Sequence, residues 1–379
     1  MTDRPVAALQ VGALALVLRL LTIPLSVLRI NPYSQGDSRL FEAAAVSAAQ
    51  AFASGEPPKL VSKLFTGSTI DAFRNVDQVW GVLLAPFWLV PGPSEIFARI
   101  VLAGVGAAAA YQVVVIGHRL HSQQAGVLAA LPVAVFPTFV AIHATLLREG
   151  IILFALTGVV RLYVAPPENV RRSFDLVAIV GLLTVATVLR IENVPLYALA
   201  VGTGVAGSLY ARDVEYADHV TLSAMVIGGI VSIWQRSRIV GFLRDIRKQR
   251  TRGRAVYLPD VLPDNIFQMV AFSWIAAAYF LFTPFPWMVV LPRDLVACVE
   301  AMITLVFGVA SLDGVRTVAR NATALTITLI VGLLAGATLY GLANANYGTA
   351  VRQRQMFVWV LFLFGAIGIS NRIQFQHYF

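Results

Sequence analysis

Long apolar stretches separated by short polar segments run along the whole chain. Most are about 17 to 25 residues long, and about 20 residues in an α-helix cross roughly 30 Å of hydrocarbon. The predicted spans lie at residues 6–29, 79–90, 96–116, 124–142, 150–165, 174–189, 194–210, 219–234, 266–283, 295–311, 322–343 and 355–370. Because stretch 79–90 is short enough to be re-entrant or strongly tilted, the pattern predicts an all-α transmembrane bundle of ten to twelve spans.

A long polar segment, residues 31–78, follows the first predicted span. Within it, apolar residues recur at helical spacing from Asp37 to Ser54, after a turn at Asn31-Pro32 and before a Gly/Pro break. This pattern predicts a large first extracytoplasmic loop that carries an interfacial helix.

The amino-acid composition excludes a water-soluble fold. The 379 residues are 58% hydrophobic and 13% charged, whereas about 25% of the residues of a soluble domain are charged. The chain is therefore predicted to be a single transmembrane domain, residues 1–379, of a multi-pass cell-membrane protein. Its one cysteine, Cys298, excludes a disulfide framework or a multi-thiolate metal site.

Basic residues concentrate in one hydrophilic loop, residues 235–264, and account for most of the net charge of +9. The positive-inside rule places this loop in the cytoplasm and residues 31–78 and 344–354 outside, if every predicted span crosses. We expect residues 236–254 to bind anionic membrane lipids, with Phe242, Leu243 and Ile246 entering the interface. Nucleic-acid binding is not predicted, because no aromatic platform accompanies the charge.

Ionisable side chains inside or beside predicted spans are functional candidates, since each costs about 2.5–3.5 kcal/mol at a helix centre. Most of them gather where spans end. The clusters are Asp37, Arg39 and Glu42; Asp71, Arg74 and Asp77; Arg148 and Glu149; Arg190, Glu192 and Asn193; and the segment 344–354.

The sequence motifs around these clusters resemble those of a known family. Residues 31–45 (NPYSQGDSRLFEAAA) resemble the motif that follows the first span of the GT-C membrane glycosyltransferases, an Asp with an aromatic residue four positions on and then Ala. Four later stretches, in the same order along the chain, are similar to the dolichyl-phosphate-mannose protein mannosyltransferase-like branch. They are 146–150 (LLREG), 189–193 (LRIEN), 281–287 (LFTPFPW) and 346–354 (NYGTAVRQR). The first loop lacks that branch's adjacent Asp-Glu pair and His-Pro-Pro motif.

The resemblance implies a GT-C fold and inverting transfer of one sugar from a polyprenyl- or dolichyl-phosphate donor. The acceptor is left open between a lipid-linked glycan and a protein. Such a reaction needs a base for the acceptor hydroxyl and cations for the leaving phosphate. Asp37 is the predicted base, and Arg352 and Arg354 are guanidinium forks suited to phosphate oxygens.

Further candidates belong to the same clusters. Those for donor or phosphate binding are Arg148, Arg190, Asn346 and Tyr347. Glu149 and Asp77 are candidates to orient the acceptor or to hold a divalent cation such as Mg²⁺ or Mn²⁺. Among the relatives the metal requirement varies, so no cofactor is assigned.

Each candidate also has a purely structural interpretation. Asp37 precedes a periodic helix and would serve equally well as its N-cap. The pairs Arg148–Glu149 and Arg190–Glu192 would serve as ion pairs that fix helix packing. Arg352 and Arg354 would serve as interfacial charges beside a span.

Two other functions remain open at the level of sequence. A transporter or flippase of a lipid-linked or anionic solute would also carry charged residues in its spans. A glycan polymerase or ligase that uses a diphosphate-linked donor would share the lipid substrate, but it predicts a large late external loop. Here the segment 344–354 is short.

Overall fold

The computed structural model describes residues 6–58, 76–90, 92, 94–166, 172–210, 236–251 and 254–373. Within them all regular structure is helical. The α-helices are α1 (Val6–Val27), α2 (Asp37–Ala53), α3 (Val76–Leu84), α4 (Pro86–Leu89), α5 (Glu95–Leu120), α6 (Gln123–Val135), α7 (Pro137–His143), α8 (Glu149–Val164), α9 (Arg172–Leu189), α10 (Val194–Tyr210), α11 (Arg236–Gln249), α12 (Ile266–Phe282), α13 (Pro292–Ala319), α14 (Thr323–Ala343), α15 (Tyr347–Arg354) and α16 (Trp359–Arg372). Short 3₁₀ turns lie at Pro32–Ser34, Ile191–Asn193 and Pro286–Met288.

The chain divides into two compact units, Met1–Val194 and Pro195–Phe379. In the first unit, α5 packs against α1, α6 and α8, while α2 packs against α3. In the second unit, α13 packs along α16, and α12 packs against α14. The assignment of residues 1–379 to one functional domain stays a prediction.

Several of the helices are long and apolar enough to cross a membrane. Among the described residues, four pass by themselves: α1, α5, α13 and α14. The number rises to seven if each of three bent helix pairs forms one span. This supports a multi-pass helical membrane protein, with four to seven candidate spans among the described residues against the ten to twelve predicted for the chain. The predicted span 219–234 lies outside the described residues.

Bends lie within or between several of the predicted spans. The predicted span 124–142 is two helices, α6 and α7, at 61°, and 355–370 belongs to a pair, α15 and α16, at 67°. The predicted spans 174–189 and 194–210 are the two arms of a pair bent by 117°. In the α6–α7 pair the cause is Pro137, which lacks an N–H and forces Phe136 into an extended conformation.

A buried arginine occupies the α6–α7 break. Arg19, in the middle of α1, is fully buried and donates from Nη2 to Val133 O at 2.7 Å and from Nη1 to Ala134 O at 3.3 Å. In an unbroken helix the donor to Val133 O would be the N–H of residue 137, which is proline. The guanidinium of Arg19 therefore replaces a backbone donor that the sequence removes.

Replacing Arg19 with leucine should lower the free energy of unfolding by about 3 kcal/mol, because buried carbonyls without donors cost about 1–3 kcal/mol each. Denaturant titration in mixed micelles measures the change. Arg119→Leu, at an exposed position on α5, is the matched control and should change the free energy by less than about 0.5 kcal/mol. Equal losses in the two variants would contradict this role of Arg19.

Candidate functional site

The chain enters α2 through a turn that Asn31 fixes. The Asn31 side chain is buried and donates from Nδ2 to Ser26 Oγ at 2.8 Å and to Ala141 O at 2.7 Å. Its Oδ1 accepts from Tyr33 N at 3.0 Å. These bonds tie the end of α1 and the start of the first loop to α7, so the position of α2 is set by buried hydrogen bonds.

Asp37 is the first residue of α2 and is half-buried. The N-cap position belongs to Gly36, whose φ of 58° suits glycine. The interpretation of Asp37 as the N-cap is therefore wrong. A carboxylate in the first turn of a helix lies at the positive end of the helix dipole.

The helix predicted from Asp37 to Ser54 is confirmed as α2, Asp37–Ala53. Leu40 and Phe52 are exposed, and the buried residues are Ser38, Phe41, Ala45, Ala48 and Ala49. The hydroxyl of Ser38 is fully buried and has no hydrogen-bond partner within the described part of the chain. Sequence reasoning did not single out Ser38, since a serine among alanines gives no periodic signal.

Helix α3 lies against α2 at very short range. A Cβ added to Gly81 would lie 2.6 Å from the Cβ of Ala44, so only glycine fits there. One residue earlier, the buried indole of Trp80 donates to Leu146 O at 2.7 Å. Trp80 thus connects α3 to the segment just before Arg148, a contact for which the sequence pattern gives no signal.

Arg148 connects α2 to the end of α9. Its side chain is buried, and Nη1 donates to Leu189 O at 2.5 Å. Its guanidinium carbon lies 5.9 Å from the centroid of the Phe41 ring, a cation–π distance. Phe41 follows Asp37 by four residues, about 6 Å along the same helix face.

Arg190 lies between two carboxylates. Its Nη2 is 2.8 Å from Glu149 Oε1, and its Nη1 is 3.1 Å from Glu192 Oε1. Glu149 is fully buried, whereas the Glu192 side chain is 41% exposed. Of the two predicted ion pairs, Arg190–Glu192 is present, while the guanidinium of Arg190 also pairs with Glu149.

We call Phe41, Arg148, Glu149, Arg190 and Glu192 the Arg148 cluster. With Asp37, which lies one turn before Phe41 on α2, it includes five residues that the sequence singled out at separate positions of the first unit. The cluster combines acids, guanidinium groups and an aromatic face beside a helix break. Such a set of groups can accept a proton and stabilise a developing negative charge.

The other predicted phosphate ligands lie in the second unit. Arg354 is buried and donates from Nη1 to Leu281 O at 2.9 Å and to Thr283 O at 2.5 Å. Arg354 therefore caps the end of α12. Both carbonyl oxygens belong to segment 281–287, one of the stretches that carried the family resemblance together with 346–354. Arg352 is partly buried on α15, and its contact with phosphate stays a prediction.

Asn346 and Tyr347 have structural partners as well. Asn346 is the N-cap of α15, and its Oδ1 accepts from Gly348 N at 2.9 Å. The Tyr347 hydroxyl lies 3.4 Å from Nη1 of Arg254. Arg254 in turn binds Asp294 through both carboxylate oxygens, and this hydrogen bonding raises the pKa of the Arg254 guanidinium.

The basic loop contains a packed helix. Leu243 of α11 is buried in the core of the second unit, and Ile246 packs against that core. The expectation that Leu243 enters the membrane interface is therefore wrong, because its side chain packs α11 onto α12 and α14. For the partly buried Ile246 it stays a prediction. Phe242 is exposed, so lipid binding by residues 236–254 stays a prediction for this outer face.

Arg247 fixes the rest of the basic loop. It is buried and donates to Leu258 O at 3.0 Å, to Val261 O at 2.9 Å and to Gly341 O at 3.2 Å. Its guanidinium carbon is 5.0 Å from the Phe272 ring centroid. Burial lowers the pKa of Arg247. The sequence counted this residue only among the basic residues of the loop.

No metal centre is formed by the described side chains, among which no group of three His, Cys, Asp or Glu residues is arranged to hold an ion. Glu149, a candidate ligand, is engaged by Arg190. Asp77 falls in α3, and its side chain, like Asp71 and Arg74, lies outside the described residues. A divalent cation stays a prediction.

Comparisons of the chain with protein-family models, with curated proteins and with solved structures find no match.

Glu149→Gln should lower the free energy of unfolding by about 3 kcal/mol, because it leaves Arg190 buried with one carboxylate in place of two. Glu192→Gln should cost about 1 kcal/mol, since that carboxylate is partly solvated. The double variant Glu149→Gln/Arg190→Gln should lose less than the sum of its single variants. Thermal unfolding in micelles measures all four, and strict additivity would show that Glu149 and Arg190 do not interact.

Proposed function

We propose that the protein is a membrane glycosyltransferase of the GT-C type. It transfers one sugar from a polyprenyl- or dolichyl-phosphate donor to a lipid-linked glycan or protein acceptor at the extracytoplasmic face. The observation that carries the proposal is the position of Asp37, which opens α2 shortly after the first candidate span and one turn before the Phe41 ring that Arg148 contacts.

In the proposed reaction the Asp37 carboxylate accepts the proton of the acceptor hydroxyl. The freed oxygen forms a bond to the anomeric carbon of the donor as the bond from that carbon to the phosphate oxygen breaks. The electron pair leaves with the polyprenyl phosphate, and attack from the opposite side inverts the anomeric centre. Transfer of the proton and of the electron pair needs no redox partner.

Charge placement supports this division of roles. Negative charge grows on the leaving phosphate, and a guanidinium in a poorly solvated site stabilises it more than the same group in water. Arg148 is the cation that contacts the Asp37 helix, through the Phe41 ring. A phosphate contact of Arg352 is a separate part of the proposal. Arg190 positions Glu149 and Glu192, and Arg354 positions the end of α12.

A transporter or flippase is the second candidate, and one observation favours it. Three helix pairs are together long and apolar enough to cross a membrane but are bent by more than 40° at a short break. Discontinuous helices of this kind are typical of secondary transporters. Non-helical backbone at membrane depth is tolerated wherever it is buried in protein or lines a water-filled cavity, so a broken helix does not single out a transporter. This observation therefore ranks below Asp37 and the Arg148 cluster. A protein that moves solute into liposomes and forms no glycosidic product would favour transport.

Asp37→Asn should reduce transfer about 10²–10⁴-fold, the usual contribution of a general base, while the folded protein is retained in the membrane. The assay uses purified protein in liposomes with a labelled polyprenyl-phosphate mannose and membrane glycolipid extract, and it measures labelled product and released polyprenyl phosphate. Glu56→Gln, an exposed acid just past α2, is the matched control and should keep full activity.

An Asp37→Asn variant with undiminished transfer would remove Asp37 from the reaction. The enzymatic proposal would be overturned if the unaltered protein formed no product from polyprenyl-phosphate mannose or polyprenyl-phosphate glucose and instead took up solute. Size-exclusion profiles of both variants distinguish loss of chemistry from loss of fold.

A further inference from the structure

An apolar groove runs between α13 and α16 in the second unit. Its volume is about 430 Å³, within the range of small-molecule sites, about 300–1,000 Å³. The lining side chains are Leu305, Val306, Val309, Ala310, Ile369, Arg372 and Ile373. All but one are aliphatic, and two of them, Val306 and Val309, are more than half exposed.

At the end of the groove near Arg372, charged side chains of α13 and α16 lie together. Asp313 Oδ2 accepts from Arg372 Nε at 2.8 Å, and Asp313 Oδ1 lies 3.7 Å from Arg316 Nη1. The side chains of Arg372 and Arg316 are 63% and 78% exposed. Beside them, Asn371 Nδ2 donates to Thr317 Oγ1 at 2.8 Å. Two guanidinium groups share one carboxylate, so the end of the groove has a net positive charge.

The groove and its polar end form one stripe on α13. Positions 305, 309, 313 and 316 recur at spacings of three or four residues, which places them on one helix face. From Leu305 to Arg316 the helix rises about 16 Å. Because half of a hydrocarbon core is about 15 Å thick, the stripe has the length of one lipid leaflet, with its charge at the headgroup end.

We infer that this groove is a binding site for an anionic glycerophospholipid, separate from the proposed donor site. One acyl chain lies along Leu305 and Val309, and the phosphate lies between Arg316 and Arg372. Charge complementarity selects the occupant: a net positive site attracts a headgroup with net negative charge, whereas the cation of a phosphatidylcholine headgroup cancels that attraction. The placement agrees with the positive-inside expectation, since the cytoplasmic leaflet holds anionic lipids.

The test reconstitutes the full chain in nanodiscs of equimolar phosphatidylglycerol and phosphatidylcholine, then counts lipids retained after transfer to detergent by native mass spectrometry. The unaltered protein should retain phosphatidylglycerol preferentially. Arg316→Gln should reduce that retention about fivefold. Arg293→Gln removes the same charge at the opposite, exposed end of α13 and should leave retention unchanged.

A second variant tests the apolar part. Val309→Trp fills the groove and should abolish preferential retention, and free glycerol 3-phosphate should not displace the lipid. Unchanged retention in Arg316→Gln, or displacement by glycerol 3-phosphate, would overturn the inference. A dimer that Val309→Trp dissociates while lipid retention stays unchanged would assign the groove to a second copy of the chain. Arg316 is exposed, so its variant keeps the test decisive if Val309→Trp does not fold.

Discussion

Hydrogen bonds from buried guanidinium groups to carbonyl oxygens at helix ends are the interaction on which both units depend. The last carbonyls of a helix have no intrahelical donors, and an apolar environment offers no water to replace them. Among the described residues, four buried arginines supply such donors: Arg19 to Val133, Arg148 to Leu189, Arg247 to Gly341 and Arg354 to Leu281. Each guanidinium also lies at the negative end of a helix dipole, which stabilises its charge. Arginine suits this role better than lysine, because its fork donates to several carbonyls at once.

The same interaction builds the proposed active site. Arg148 satisfies the end of α9 and at the same time contacts Phe41 of α2, so the position of the Asp37 turn depends on where α9 ends. Arg190, the residue after that helix end, holds the two glutamates. The break after α9 thus brings together charged side chains that would be costly to bury separately. A reaction that needs a base near a cation can use this group of side chains.

The sequence predicted the apolar segments and the helix after Asp37, because burial in lipid or protein requires runs and periods that are visible in one dimension. It did not predict the bends. Pro137 marks one of them, but the chain turns at Arg190 without a proline, where tertiary hydrogen bonds replace helical ones. The partners of Arg148 and Arg190 are 41 residues away, and no local pattern encodes such pairing. Leu243 and Arg247 were misassigned because an amphipathic helix on a protein surface and one on a membrane share the same period.

The most direct test of the account is the hydrogen bond between Arg354 and Thr283 O. Thr283-Pro284 is the one Thr-Pro pair in the sequence, so ¹³C-carbonyl threonine with ¹⁵N proline selects a single carbonyl signal in solid-state NMR. Arg354→Leu should move the Thr283 carbonyl signal upfield, since the carbonyl loses its guanidinium donor. The variant Arg293→Leu, at an exposed position, should leave the signal unchanged. An unchanged Thr283 signal in Arg354→Leu would contradict the claim that buried arginines bind helix ends, and it would return Arg354 to the pool of phosphate ligands.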